Sequence, residues 1–168
     1  GLSAMLETPV VVVNVMRAGP STGVPTKTEQ GDLTQALGAS QGDFPRIIIA
    51  PLSMTDGFTT PALAFNVADR YQCPVIILTD LLIAEGSETV DPALLDVDFT
   101  IDRGELITSA SGAGKKGGAD AGEPYLRYKN TESGISPRAV PGLPGHIHVA
   151  ASDEHDEDGV LLSDVFTD

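Results

Sequence analysis

The sequence predicts an α/β fold, a parallel sheet with flanking helices followed by a loop-rich C-terminal part, on three observations. Three short apolar runs, at residues 10–16 (VVVVNVM), 47–50 (IIIA) and 75–78 (VIIL), lack the polar alternation of a half-exposed sheet. Continuous β-branched runs suit strands covered on both faces, as in a parallel sheet between helix layers. Helix-length connections separate the runs, which is the βαβ arrangement with right-handed crossovers. Gly and Pro together make 30 of the 168 residues and concentrate in the second half, which should be loop-rich.

Taken in order, residues 1–7 read as the last turns of a helix running into Thr8 and Pro9. The first strand then delivers Arg17 to a loop in which Ala18, Gly19, Ser21 and Gly23 are small enough for a ligand to approach the backbone. Thr26 and Glu29 stand three apart in the capping-box pattern, so a helix is expected from near Lys27, with Leu33, Ala36 and Leu37 on its inner side. After a turn at 38–43 the second strand ends at Pro51, which cannot donate a ladder hydrogen bond. The next helix takes Asp56 or Thr60 as its cap, with Pro61 near its start, and Cys73-Pro74 stops it. The third strand ends at Thr79-Asp80. Asp80 reads as the cap of a helix opening at Leu81, with a catalytic or ribose-binding acid as the alternative.

Beyond Gly86 the signals shorten. Phe99 and Ile101 alternate with polar neighbours, which suggests a half-exposed strand. Residues 111–118 satisfy G-x-G-x-x-G but neither follow a convincing strand nor open a helix, so they read as a flexible loop. Prolines at 137, 141 and 144 keep their segment extended, and Arg138 there reads as a subunit contact rather than a second anion site. His146 and His148 alternate as if on one side of a strand; with His155 and the acids around it they supply metal-ligand types. The acidic run alone reads as a solvated loop, so no metal is assigned.

Net charge is −14, from 24 acids against 10 bases. Such a surface repels nucleic acid and anionic membranes, and both are discounted as partners. No apolar run approaches the roughly 18 residues of a membrane span. The single Cys73 can form no internal disulfide, which suits a reducing cytoplasm, and it reads as a packing residue. Abundant acid with four lysines would also suit work at high salt. Against this field Arg17 stands out. Its rigid fork matches a carboxylate or phosphate in two hydrogen bonds, and open α/β sheets bind ligands beyond the carboxyl ends of their strands. Spacing alone leaves an anion clamp and a structural arginine both open.

The segments NVMRAGPSTGVPTKTEQGDL, GDFPRIIIAP, AFNVADRYQCPVIILTD, GISPRAVPG and SDEHDEDG resemble the α subunit of 2-oxoacid:ferredoxin oxidoreductases, nearest the 2-oxoglutarate type. The resemblance implies a thiamine-diphosphate-binding fold of the pyrimidine type, incomplete here, over 1–105, and a loop-rich extension and linker over 106–168. It implies an enzyme subunit that oxidatively decarboxylates a 2-oxoacid to its acyl-CoA and passes electrons to ferredoxin. Thiamine diphosphate with Mg would be shared with a β subunit. An iron–sulfur cluster would lie in that partner, because a single cysteine cannot hold one. By the same resemblance Arg17 holds the substrate carboxylate and Thr26 helps recognise the substrate, with Ser21 and Thr22 in the same motif.

The family's Tyr-Pro-Ile-Thr-Pro motif, its cofactor-activating glutamate and its Thr-Ser-Gly-Pro-Gly segment are not in these residues, and Glu7 does not take the glutamate's place. A piece of a longer subunit, inactive alone, is therefore expected. The alternatives are a catalytically silent α/β assembly or binding module and a pyruvate-type member of the same family.

Overall fold

A computed structural model of the chain describes all residues except Thr22, Asp96, 110–123, 152–153 and 161–168. The glycine-rich segment at 111–118 thus lies outside the described residues. The chain divides into two compact units: Glu7–Asp102 with Gly1 and Ser3, and Arg103–Asp168 with Leu2 and Ala4–Leu6.

The elements of the N-terminal part are α1 (Leu2–Met5), β1 (Val10–Ala18), β2 (Val24–Thr28), α2 (Leu33–Leu37), β3 (Ile47–Ile49), α3 (Met54–Tyr71), β4 (Pro74–Asp80) and α4 (Leu81–Glu85). The sheet order is β2-β1-β4-β3. β1 and β3 both run parallel to β4, with Met16 opposite Asp80 and Ile49 opposite Ile77. The expected parallel sheet of three apolar strands is therefore present, with β2 added antiparallel at its edge.

Packing follows the two-residue period of the strands. Val75 and Ile77 of β4 meet Ala64 and Ala68 of α3, and all four are at most 4% exposed. Leu78 and Met16, one position out of phase, pack on the opposite face with Ala36 of α2. Thr60, Ala64 and Ala68 recur every four residues, so the stripe α3 turns inward is made of small side chains. Its larger Leu63 and Phe65 are exposed. Cys73 is buried beside β4, as its reading as a packing residue expects.

Several expectations are corrected. The capping box at Thr26 and Glu29 does not form, because 24–28 pair as β2 and the helix begins only at Leu33, after Asp32. Ala36 is buried, but Leu33 and Leu37 are 53% and 58% exposed, since so short a helix covers little. The cap of α3 is Ser53, whose hydroxyl accepts from Asp56 N at 3.0 Å, not Asp56 or Thr60. Asp56 completes a local variant of the box by accepting from Leu52 N at 3.1 Å. Pro61 consequently lies inside the helix rather than at its start, on an exposed position. β1 is not covered on both faces: Val10, Val12 and Val13 are exposed among the described residues, and the strongly buried strand is β4. Residues 99–101 form no strand. Asn66 of α3 instead holds that segment as a strand would, donating to Thr100 O at 2.6 Å and accepting from Asp102 N at 2.9 Å.

Among the described residues the second unit contains one two-stranded parallel pair, β5 (Leu106–Ile107) and β6 (Arg138–Ala139). Tyr125 ties the loops around it: its hydroxyl donates to Pro137 O at 3.1 Å and accepts from Ala139 N at 3.2 Å. His146 and His148 do not share a strand face. Turns at Gly142 (φ 86°) and Gly145 (φ 81°) break the run, leaving His146 buried and His148 exposed. Both rings pack against Tyr125, and His155 lies 3.9 Å from the Tyr128 ring.

Candidate anion-binding site

The carboxyl end of β1 carries the site. Arg17 does not follow the strand, as the sequence suggested; it is its penultimate residue, paired with Thr28 of β2. Between β1 and β2 the chain reverses through Gly19-Pro20, joined by a cis peptide bond, and a turn closed by Gly23 N donating to Pro20 O at 2.9 Å. Ser21 (φ 58°) and Gly23 (φ 27°) adopt left-handed backbone there. A Cβ at Gly23 would collide with the carbonyl oxygens of Ala18 and Gly19, so this turn requires glycine.

The register across the hairpin is irregular in an informative way. Ala18 pairs with Val24 and Arg17 with Thr28, so Pro25, Thr26 and Lys27 stand opposite a single step of β1. This bulge places Thr26 beside the Arg17 end of the strand. Of the residues singled out from the sequence, Arg17, Ser21 and Thr26 are brought to one hairpin and all are exposed, while Thr22 lies outside the described residues.

Three side-chain hydrogen bonds fasten the segment after β2 to the middle of β1, to the turn that follows it and to the end of β4. Glu29 Oε2 accepts from Gly19 N at 3.2 Å, Gln30 Nε2 donates to Asp80 Oδ2 at 2.7 Å, and Asn14 Nδ2 donates to Asp32 Oδ2 at 2.9 Å. Asp80 is 4% exposed and also caps α4, accepting from Ile83 N at 3.0 Å. The capping reading of Asp80 is thus the observed one. The Gln30 amide and the Ile83 N–H hold its carboxyl below the usual aspartate range, against the opposing effect of burial.

The consequence for Arg17 is electrostatic. Glu29, Asp32 and Asp80 are each engaged by other donors, and among the described residues no hydrogen bond or ion pair engages the Arg17 guanidinium. An exposed, unneutralised fork on a hairpin anchored at three points is suited to a planar anion. Sequence reasoning missed Asn14, Gln30 and Asp32. The available signals were the one polar residue within the apolar run 10–16 and the amide between two acids after the hairpin.

Other candidates carry less chemistry. Burial pushes the Cys73 thiol up, so it stays protonated. Among the described residues no three His, Cys, Asp or Glu side chains form a metal-ligating group. His148 has its pKa lowered by desolvation and by Arg127, which disfavours its cationic form. No described helix is long and apolar enough to cross a membrane.

Comparison with known proteins settles the family. Residues 1–164 match the model described as "Pyruvate flavodoxin/ferredoxin oxidoreductase, thiamine diP-bdg". The chain belongs to this family. The resemblance drawn from RAGPSTGVPTKTEQ and its companion segments therefore holds, as does the α/β class with a predominantly parallel sheet. Among relatives in this family, the α subunit of 2-oxoacid:ferredoxin oxidoreductase 1 from Sulfurisphaera tokodaii is 36% identical over 166 residues, covering 98% of this chain and 24% of the relative. The 2-oxoglutarate oxidoreductase subunit KorA of Mycobacterium tuberculosis is 40% identical over 153 residues, covering 88% of this chain and 21% of its own. A solved 2-oxoglutarate:ferredoxin oxidoreductase from Magnetococcus marinus, with 2-oxoglutarate, coenzyme A and succinyl-CoA bound, superposes with a TM-score of 0.76 at 37% identity, over 97% of this chain and 26% of that one. The chain spans about a quarter of the length of these relatives.

Proposed function

We propose that this chain is the part of a 2-oxoacid:ferredoxin oxidoreductase α subunit that grips the substrate. The parent enzyme oxidatively decarboxylates a 2-oxoacid, 2-oxoglutarate in the first instance, to its acyl-CoA and reduces ferredoxin. Arg17 binds the 2-oxoacid carboxylate in two hydrogen bonds, Thr26 hydrogen-bonds the same substrate from the bulge in β2, and Ser21 and Thr22 of the same motif contribute to substrate binding. The observation that carries this reading is the exposed Arg17 guanidinium at the carboxyl end of β1, which no acid among the described residues engages while Glu29, Asp32 and Asp80 are bound by other donors.

Thiamine diphosphate supplies the electron sink for decarboxylation when bound. The chain's own part in the site, in this proposal, is to hold the substrate's carboxylate. In this proposal the β subunit completes the cofactor site and holds the iron–sulfur cluster. Coenzyme A and ferredoxin act through the assembled complex in the cytoplasm, and the first 105 residues belong to the pyrimidine-type domain with 106–168 as its extension.

Replacing Arg17 by Ala or Lys in the complete complex tests this. Removing one partner of a desolvated charge pair costs about 2–5 kcal/mol, so KM for the 2-oxoacid rises by at least about thirtyfold while KM for coenzyme A is unchanged. 2-Oxoglutarate and pyruvate lose alike, because they share the carboxylate. Unchanged kinetics with both acids would remove Arg17 from the role. A second reading, a silent assembly module, is favoured by one observation: β1 leaves Val12 and Val13 46% and 58% exposed. Under that reading the Arg17 variants alter assembly rather than KM.

A further inference from the structure

A second cavity lies in the first unit, on the face of the sheet that α3 covers. A cavity of about 270 Å³ opens between the α3 face of the sheet and the first turns of α3 and α4. Val13 and Val15 of β1, Ile77 of β4, Met54 and Pro61 of α3, and Ile83 of α4 line it. None of its described lining residues carries a charge. At about 30 Å³ for each water-sized group, the volume suits a molecule of about nine non-hydrogen atoms.

One lining group is out of keeping with an empty apolar hollow. Thr79 is 8% exposed and lines the cavity, and its Oγ1 is buried without a hydrogen-bond partner. The strand period fixes its direction. Val75 and Ile77 face Ala64 and Ala68 of α3, so Thr79, two residues on, faces the same side. In a helix a threonine hydroxyl can return to a backbone carbonyl of the preceding turn. On β4, Thr79 has no such recourse, and buried hydroxyls are ordinarily paired. Thr60 is the other hydroxyl side chain in the lining, but of the two only Thr79 has its oxygen buried without a partner. A mostly apolar recess with few polar groups is the usual make-up of a small-molecule site, where a hydrogen bond fixes orientation.

We propose that this cavity binds a small uncharged organic molecule carrying one hydroxyl or carbonyl, which Thr79 Oγ1 engages while Val15, Ile77 and Ile83 enclose its apolar body. The proposal is independent of the role given to Arg17.

Ligand-observed saturation-transfer NMR on the complete complex, with benzyl alcohol as the probe, tests it. Saturable binding is expected, weakened about fivefold or more by Thr79→Val and restored by Thr79→Ser, which returns the hydroxyl. A filling variant provides a control that does not touch the strand. A Cβ at Gly57 meets Ile83 Cγ2 at an ordinary 3.5 Å, so Gly57→Leu directs its bulk into the cavity and should abolish binding. Absence of saturable binding, or binding that both Thr79→Val and Gly57→Leu leave unchanged, would overturn the proposal. If Thr79→Val does not fold, Thr79→Ser with Gly57→Leu decides it: retention in the first and loss in the second supports the site, and any other pair of outcomes refutes it.

Discussion

Replacing Asp80 by Ala removes two hydrogen bonds at once, and the geometry sets what each is worth. The bond from Ile83 N at 3.0 Å is the N-cap of α4, and losing such a cap costs about 1 kcal/mol. The bond from Gln30 Nε2 at 2.7 Å is charge-assisted, but Gln30 is exposed and water can replace its partner, so its loss falls near about 1 kcal/mol. The sum of about 2 kcal/mol corresponds to about thirtyfold in a local opening equilibrium. Hydrogen exchange read by mass spectrometry on the peptide over 81–86 in the complete subunit reports that opening directly. Exchange there should accelerate by that factor, with 74–78 unaffected. Acceleration of less than about twofold would refute the assignment of Asp80 as the tie between the hairpin and the sheet. The same bond has a pH signature. Folding depresses the Asp80 pKa, so its contribution is fully present above the ordinary aspartate value of about 3.9 and is lost as pH falls through the lower folded value. Asp80→Asn has no proton to gain, so the difference in protection between wild type and this variant should shrink only below about pH 4.

Two further expectations follow. Gly23→Ala places a Cβ against the carbonyls of Ala18 and Gly19 at a left-handed φ, and should open the hairpin by about 1–3 kcal/mol, seen as faster limited proteolysis over 18–24; unchanged cleavage would count against the turn. The net charge of −14 over these 168 residues implies self-repulsion that salt screens, so the melting temperature of this chain should rise as KCl approaches molar levels, and a fall would contradict that account.

The apolar strands were legible because each is a contiguous signal: 47–49 and 75–78 read directly as β3 and β4, and Asp80 before Leu81 read as a cap and is one. The errors came where short-range chemistry met long-range pairing. Thr26 and Glu29 have capping-box spacing, yet Val24 to Thr28 gain more by adding an edge strand to β1, where Pro25 is tolerated because edges have unpaired positions. Ser53 and Asp56 carried the same spacing and did form the cap, obscured by the assumption that Pro61 must open its helix. Within the site, Arg17 and Thr26 were found through a motif, whereas Gln30 meets Asp80 across 50 residues, a contact that no local pattern encodes. Burial of β1 was overestimated, since an apolar run states that a face can be covered without stating what covers it.

The central claim is that one guanidinium at the end of β1 receives a substrate carboxylate. A structure of the complete complex with 2-oxoglutarate bound tests it most directly. The account predicts two Arg17 nitrogens within about 3 Å of one substrate carboxylate, with Gln30 still on Asp80. An Arg17 side chain paired instead with an acid of the protein, and substrate held elsewhere, would contradict it.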